Sequence, residues 1–227
     1  MSGKPTIHVI GTGGTISGAG SSATAAAYES GQVEASELVA EVEGLSQVPS
    51  IETENLFATG SENLGPVQWR ILARRIEELT KSRDVDGVVV THGTDTLEEA
   101  SFFLDLVCKP SKPVVLTAAM RPATALSADG PANLYQAILA AASPQLKGHG
   151  ILLVMNGTVI PGWQAIKTDS AALESFCAYP NGIIGRISGE RLIVSSESCP
   201  SPLSGRFHDH LNKEGKLPLV RVIFLRG

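Results

Sequence analysis

Four side chains stand out for what they could do together. They are Thr15 in "GTGGTIS" (residues 11–17), Thr94 and Asp95 in "THGTDTLEEA" (residues 91–100), and Lys167 in "AIKTDS". Tyr28 and Ser61 add two further hydroxyls. A threonine hydroxyl is a weak nucleophile until a neighbour takes its proton. A neutral lysine can take it, but a nearby carboxylate such as Asp95 favours the charged ammonium. Lys167 therefore needs deep desolvation or a role shared through Thr94. No His, Cys and carboxylate spacing suits a metal, so neither metal nor cofactor is expected. A G-x-S-x-G elbow is also missing.

The glycine-rich loop invites a phosphate, and its residues argue against one. A dinucleotide fingerprint wants a third glycine where Ile16 stands, and a P-loop wants Lys where Ala19 follows Gly18. What remains is backbone free to take positive φ around Thr12 and Thr15. Plainer duties compete. Thr96 and Glu99 have capping-box spacing, Asp129 sits where a helix cap would, and Arg121 suits a pin to a carboxylate. Lys167 alone reads as a solvated lysine. On the residues alone, both readings of the Thr94–Asp95 pair stand.

The elements that must position these groups alternate. "TIHVI", "SIETENLFA", "VDGVVV", "KPVVLTAA" and "GILLVMNG" read as strands. "ASELVAEVEGL", "VQWRILARRIEELTKS", "LEEASFFLDLV" and "PANLYQAILAAA" read as helices. Near-continuous apolar strands between helices predict an α/β fold. Its sheet is mostly parallel with helices on both faces, a Rossmann-like or flavodoxin-like three-layer sandwich. Ligands then sit at the carboxyl ends of the strands. From Val159 the pattern changes, and "VIPGWQAIKTDS" and "NGIIGRISGERLIV" read as hairpins. The predicted organisation is a catalytic α/β domain over 1–195, a Ser- and Pro-rich linker over 196–217, and a lone strand over 218–227.

The 227 residues carry a net charge of −5 with no basic tract, which argues against a nucleic-acid partner. The apolar runs are too short to span a bilayer. A start without a long apolar core leads us to expect a cytoplasmic protein. Cys108, Cys177 and Cys199 are read as reduced thiols.

Taken together, "TGGTISG", "THGTDTLEE", "AAMRPATALSADGPANL" and "VMNGTVIPGWQAIKTDS" resemble the bacterial-type L-asparaginase family, which includes the glutaminase-asparaginases. The similarity runs from about Thr6 to Leu225. It covers the family's larger N-terminal domain, its linker and the opening strand of its smaller C-terminal domain. The resemblance implies hydrolysis of L-asparagine to L-aspartate and ammonia through an acyl-enzyme, with weak glutaminase activity as an accompaniment. Thr15 then matches the nucleophile and Tyr28 the tyrosine of a mobile lid. Thr94, Asp95 and Lys167 match a second catalytic group. Gly14, Ser61, Glu62, Gly93, Thr94 and Asp95 match the substrate contacts. Glu62 stands where relatives carry Gln or Glu, and we expect it to favour asparagine over glutamine. The family also implies a homo-oligomer, a dimer or tetramer, whose sites borrow residues from a neighbour's C-terminal domain. Lacking that domain, the chain has an alternative reading. It is then a weak or inactive homologue that binds asparagine or aspartate, or associates with a full-length partner.

Overall fold

Runs such as Val88–Val89–Val90 have no exposed side chain, because successive residues of a strand point to opposite faces and both faces are covered. The computed structural model describes residues 4–24, 27–45, 50–195 and 201–212. Five parallel strands form the middle and one end of the main sheet. They are β1 (Thr6–Gly13), β4 (Ser50–Thr59), β5 (Gly87–Thr91), β6 (Val114–Thr117) and β7 (Ile151–Met155). The short strands β2 (Ala19–Gly20) and β3 (Tyr28–Glu29) form a separate antiparallel pair. β8 (Thr158–Pro161), β11 (Gly185–Ser188) and β12 (Arg191–Val194) extend the sheet antiparallel, giving the order β12-β11-β8-β7-β6-β5-β1-β4. β9 (Ala165–Lys167) and β10 (Phe176–Ala178) pair with each other beside it.

Helices cover both faces, as expected for a three-layer α/β fold. Helices α2 (Pro66–Lys81) and α3 (Leu97–Val107) pack Leu72, Ile76, Leu97 and Leu104 against Ile10, Val88, Val90 and Leu116. On the other face, α1 (Ala35–Ala40) and α4 (Gly130–Ala141) pack Leu38, Leu134 and Ile138 against Ile7, Val9, Val89 and Val115. β1 is followed by α1 on one face and β5 by α3 on the other. Their carboxyl ends therefore diverge and leave a crevice, the usual ligand address of such a sheet.

Several local expectations shift. The hairpin after residue 150 turns at Asn156-Gly157, where φ is 47° and 71°, and joins β7 to β8. Asn-Gly favours such tight turns because both positions need positive φ. "VIPGWQAIKTDS" thus holds the second strand of one hairpin and the first of another. "NGIIGRISGERLIV" does form the expected β11–β12 hairpin.

Residues 201–212, inside the expected linker, lie against α2 and α3. Leu211 is buried and its carbonyl accepts from Arg74 Nη2 at 3.3 Å. Phe207 N donates to Leu106 O at 2.8 Å. Ser201 Oγ bonds the buried Asp105 carboxyl, whose pKa burial pushes up. Cys108 and Cys177 are free, whereas Cys199 and the expected strand over 218–227 lie outside the described residues. No helix among the described residues is long and apolar enough to cross a membrane.

Candidate active site

The loop after β1 bends through two glycines in succession. Gly13 and Gly14 have φ of 94° and 81°, values that β-carbon-bearing residues rarely adopt. Space demands glycine here too. A β-carbon on Gly14 would come within 2.3 Å of the Gly93 backbone, and one on Gly93 within 2.6 Å of Ser61 Oγ. The loops after β1 and β5 therefore meet backbone to backbone. Gly14 N donates to Thr59 O at 2.8 Å, which ties the first loop to β4. Thr15 then opens a single 3-10 turn (Thr15–Ser17) that no α-helix continues.

Thr15 is 8% exposed, and its Oγ1 lies 2.7 Å from the Tyr28 hydroxyl. Tyr28 comes from the β2–β3 pair. This small hairpin is seated on the loop of "AAMRPATALSADG". Gly20 N donates to Thr124 Oγ1 at 2.8 Å, Ala123 N to Gly18 O at 2.9 Å and Leu126 N to Ala23 O at 2.9 Å. Asp129 braces that seat. Its carboxylate accepts from the amides of Met120 and Arg121, each at 2.9 Å, and from Asn133 Nδ2 at 3.1 Å. Asp129 makes no side-chain cap on α4. Arg121 Nη1 donates to the Ser127 carbonyl at 2.8 Å, so it pins the loop to a carbonyl and not to a carboxylate.

The motif after β5 also departs from its capping-box spacing. Thr96 makes no side-chain cap; its Oγ1 donates to Ser61 O at 2.8 Å. Ser61 Oγ in turn accepts from Asp95 N at 3.2 Å, which leaves the hydroxyl proton of Ser61 to donate elsewhere. The Lys167 ammonium donates to Thr94 Oγ1 at 3.0 Å and to Asp95 Oδ1 at 3.1 Å. Thr94, Asp95 and Lys167 are therefore one hydrogen-bonded group. Its lysine side chain is 19% exposed and its aspartate 66%.

Gly14, Thr15, Tyr28, Ser61, Glu62, Gly93 and Asp95 line one cavity of about 190 Å³ together with Ser30. Thr94 and Lys167 are not in its wall; Lys167 is bonded to Asp95, which is. Two carboxylates, Glu62 and Asp95, face the space. Asp95 is neutralised by Lys167, whereas among the described residues the Glu62 side chain accepts only from Asn63 Nδ2 at 3.3 Å. Ser30 was missed in the sequence, since a lone serine two residues past a tyrosine carries no signal. A set of three or more His, Cys, Asp or Glu side chains placed to hold a metal does not occur among the described residues.

His92, beneath this floor, is wholly buried and its Nδ1 lies 2.8 Å from Gly93 O. A carbonyl only accepts, so that nitrogen carries the proton. Burial lowers the His92 pKa to about 4, and the ring is neutral at pH 7. Below pH 6.5 the unfolded chain gains a proton that the folded chain refuses until about pH 4. Stability therefore falls as pH falls through this window, by up to about 3 kcal/mol. Urea unfolding at pH 7 and pH 4.5 checks this. In His92→Gln the loss between the two pH values should shrink by most of that amount. An equal loss in both proteins would show that His92 is not responsible.

Comparison with known proteins finds consistent relatives. The family profile described as "Asparaginase, N-terminal" matches residues 6–199. The chain is 39% identical over 225 residues to a "Probable L-asparaginase periplasmic" of Haemophilus influenzae, covering 97% of this chain and 62% of that protein. It is 42% identical over 182 residues to a "Glutaminase-asparaginase" of Pseudomonas fluorescens biotype A, covering 80% of this chain and 50% of the relative. A crystal structure titled as a probable cytoplasmic L-asparaginase from Campylobacter jejuni superposes with a TM-score of 0.83 at 36% identity, covering 86% of this chain and 60% of that one.

Proposed function

The chain belongs to the asparaginase family, matched through its N-terminal domain, and on that footing we propose that it hydrolyses L-asparagine to L-aspartate and ammonia. The observation that carries this reading is the single small cavity onto which Thr15, Ser61, Glu62 and Asp95 all open. An amino-acid substrate is a zwitterion. Asp95 and Glu62 take its ammonium group, and the Ser61 hydroxyl donates to its carboxylate. Its carboxamide then lies toward Thr15.

In this mechanism Thr15 Oγ1 attacks the carboxamide carbon while its proton is relayed through the Tyr28 hydroxyl beside it, which hands its own proton on to the amide nitrogen. Backbone amides of the Gly14–Thr15 and Gly93–Thr94 loops stabilise the oxyanion, and each such donor is worth roughly 100–1,000-fold. Collapse of the adduct breaks the C–N bond, expels ammonia carrying that relayed proton, and leaves an acyl ester on Thr15. Water then attacks the ester, its proton passing through Thr94 Oγ1 to the Lys167 amine and on to Thr15 Oγ1 as the ester C–O bond breaks and aspartate leaves. Lys167 acts through Thr94, and Asp95, whose Oδ1 is held by Lys167, offers its other oxygen to the ammonium.

Residues 1–195 form the proposed catalytic domain, 196–217 a linker and 218–227 the opening strand of a further domain. An assembly of two or four copies and a cytoplasmic location belong to the same proposal. The Campylobacter title supports the location and the Haemophilus name opposes it. Glu62 sets the substrate preference. Ammonia release should give a higher kcat/KM for L-asparagine than for L-glutamine, by roughly tenfold or more; equal values would overturn that role. The chain spans 62% of the Haemophilus relative's length. A second reading is a protein that binds asparagine or aspartate without turnover, or works with a longer partner. Thermal shift with aspartate in the absence of ammonia release would select it.

A further inference from the structure

The "THGTDTLEEA" motif holds two carboxylates, Glu98 and Glu99, that neither capping nor substrate contact uses, and one of them turns inward. Glu98 is half-buried at the second position of α3. Its Oε2 accepts the backbone N–H of Lys167 at 2.7 Å. One turn further along α3, Ser101 Oγ donates to the carbonyl of Gly162 at 2.9 Å. Gly162 opens the 3-10 turn (Gly162–Gln164) that leads directly into β9. Helix α3 therefore grips the lysine-bearing segment at both ends. Three residues before Glu98, Asp95 takes the same lysine by its ammonium, and Thr94 does likewise.

We propose that Glu98 is a positioning residue: its carboxylate fixes the register of β9 against α3 and so sets the reach of Lys167 Nζ to Thr94. Besides the Ser101 bond and the buried Ala165, the strand relies on its ladder. β9 is three residues long and its ladder partner β10 is also three, and a two-stranded ribbon is marginal by itself. A carboxylate accepting a backbone N–H is about twice as strong as a neutral hydrogen bond. A carboxylate that served only the helix dipole would be equally well placed at Glu99, which faces solvent. Glu98 instead turns to the lysine. The effect on turnover rests on the amidohydrolase reading; the effect on lysine position does not.

Glu98→Ala and Glu98→Gln in the full chain test this with two readouts. The first is trace acylation of Lys167 by acetic anhydride, followed by mass spectrometry against Lys81, whose side chain is 70% exposed. Glu98→Ala should raise Lys167 labelling several-fold. Glu98→Gln should stay near wild type, because its amide oxygen accepts the same N–H. The second is ammonia release from asparagine. Glu98→Ala should lower kcat roughly 10–100-fold with KM changed less than about twofold, and Glu98→Gln should recover most of it. Unchanged labelling in Glu98→Ala overturns the proposal. So does Glu98→Gln behaving like Glu98→Ala, or kcat, KM and thermal stability all falling together. If labelling shifts as stated while the wild-type chain releases no ammonia, the positioning role stands and the amidohydrolase reading falls.

Discussion

Thr15→Ala is expected to cut ammonia release from asparagine by roughly 10⁴-fold or more while leaving the fold in place. The residue sits in a 3-10 turn at 8% exposure, and among the described residues its Oγ1 bonds only the Tyr28 hydroxyl. Removing the oxygen therefore removes an attacking atom and one hydrogen bond to an exposed tyrosine, with little packing lost. Thr15→Ser keeps the oxygen and drops a methyl group. It should retain a measurable part of the rate, reduced because the serine rotamer is less fixed than that of a β-branched residue. Steady-state assays with circular dichroism as the folding control decide the matter. A Thr15→Ala protein that keeps more than about a tenth of the rate would remove Thr15 from the role of nucleophile.

Lys167→Met should lower kcat roughly 10²–10⁴-fold, the usual worth of a general base. Methionine keeps an unbranched stem of similar length and loses the ammonium that reaches Thr94 and Asp95. Stability should change little, since the Asp95 partner is 66% exposed and exposed ion pairs contribute about 0–1 kcal/mol. KM should rise as well. Asp95, released from Lys167, is free to turn away from the cavity it lines. A kcat within about threefold of wild type would mean that Thr94 and Lys167 take no part in proton transfer.

The layers of this fold were legible because burial imposes a period. Val88, Val89 and Val90 could only be a strand covered on both sides; of the stripe Val67, Ile71, Ile76 and Leu79 expected on α2, Ile76 and Leu79 meet it, whereas Val67 and Ile71 are exposed and Leu72 takes the core position instead. Asn156-Gly157 was also legible in principle; its turn signal was overshadowed by the break in pattern just after it. Cavity residues are different. Nothing periodic links Ser61 to Gly93 across 31 intervening positions, and their contact depends on two glycines letting backbones touch. Motif resemblance was the only route to that gathering of side chains. Local rules misled at Thr96 and Asp129. Each has the spacing of a helix cap, and each is used instead to tie one loop to another. Tertiary hydrogen bonds outcompeted local ones there, as they do where a site must be rigid.

The β2–β3 hairpin has a kinetic corollary. Each of its strands is two residues long. It is held to its seat by three short hydrogen bonds from backbone amides, and Tyr28 remains 39% exposed. An element with so little buried area fluctuates on the nanosecond-to-microsecond scale of loops. Enzymes of ordinary speed turn over roughly 1–10³ times per second. If this hairpin is the lid that the family resemblance implies, it would swing many hundreds of times between one chemical event and the next. Viscosity added to the buffer should leave the turnover number almost untouched.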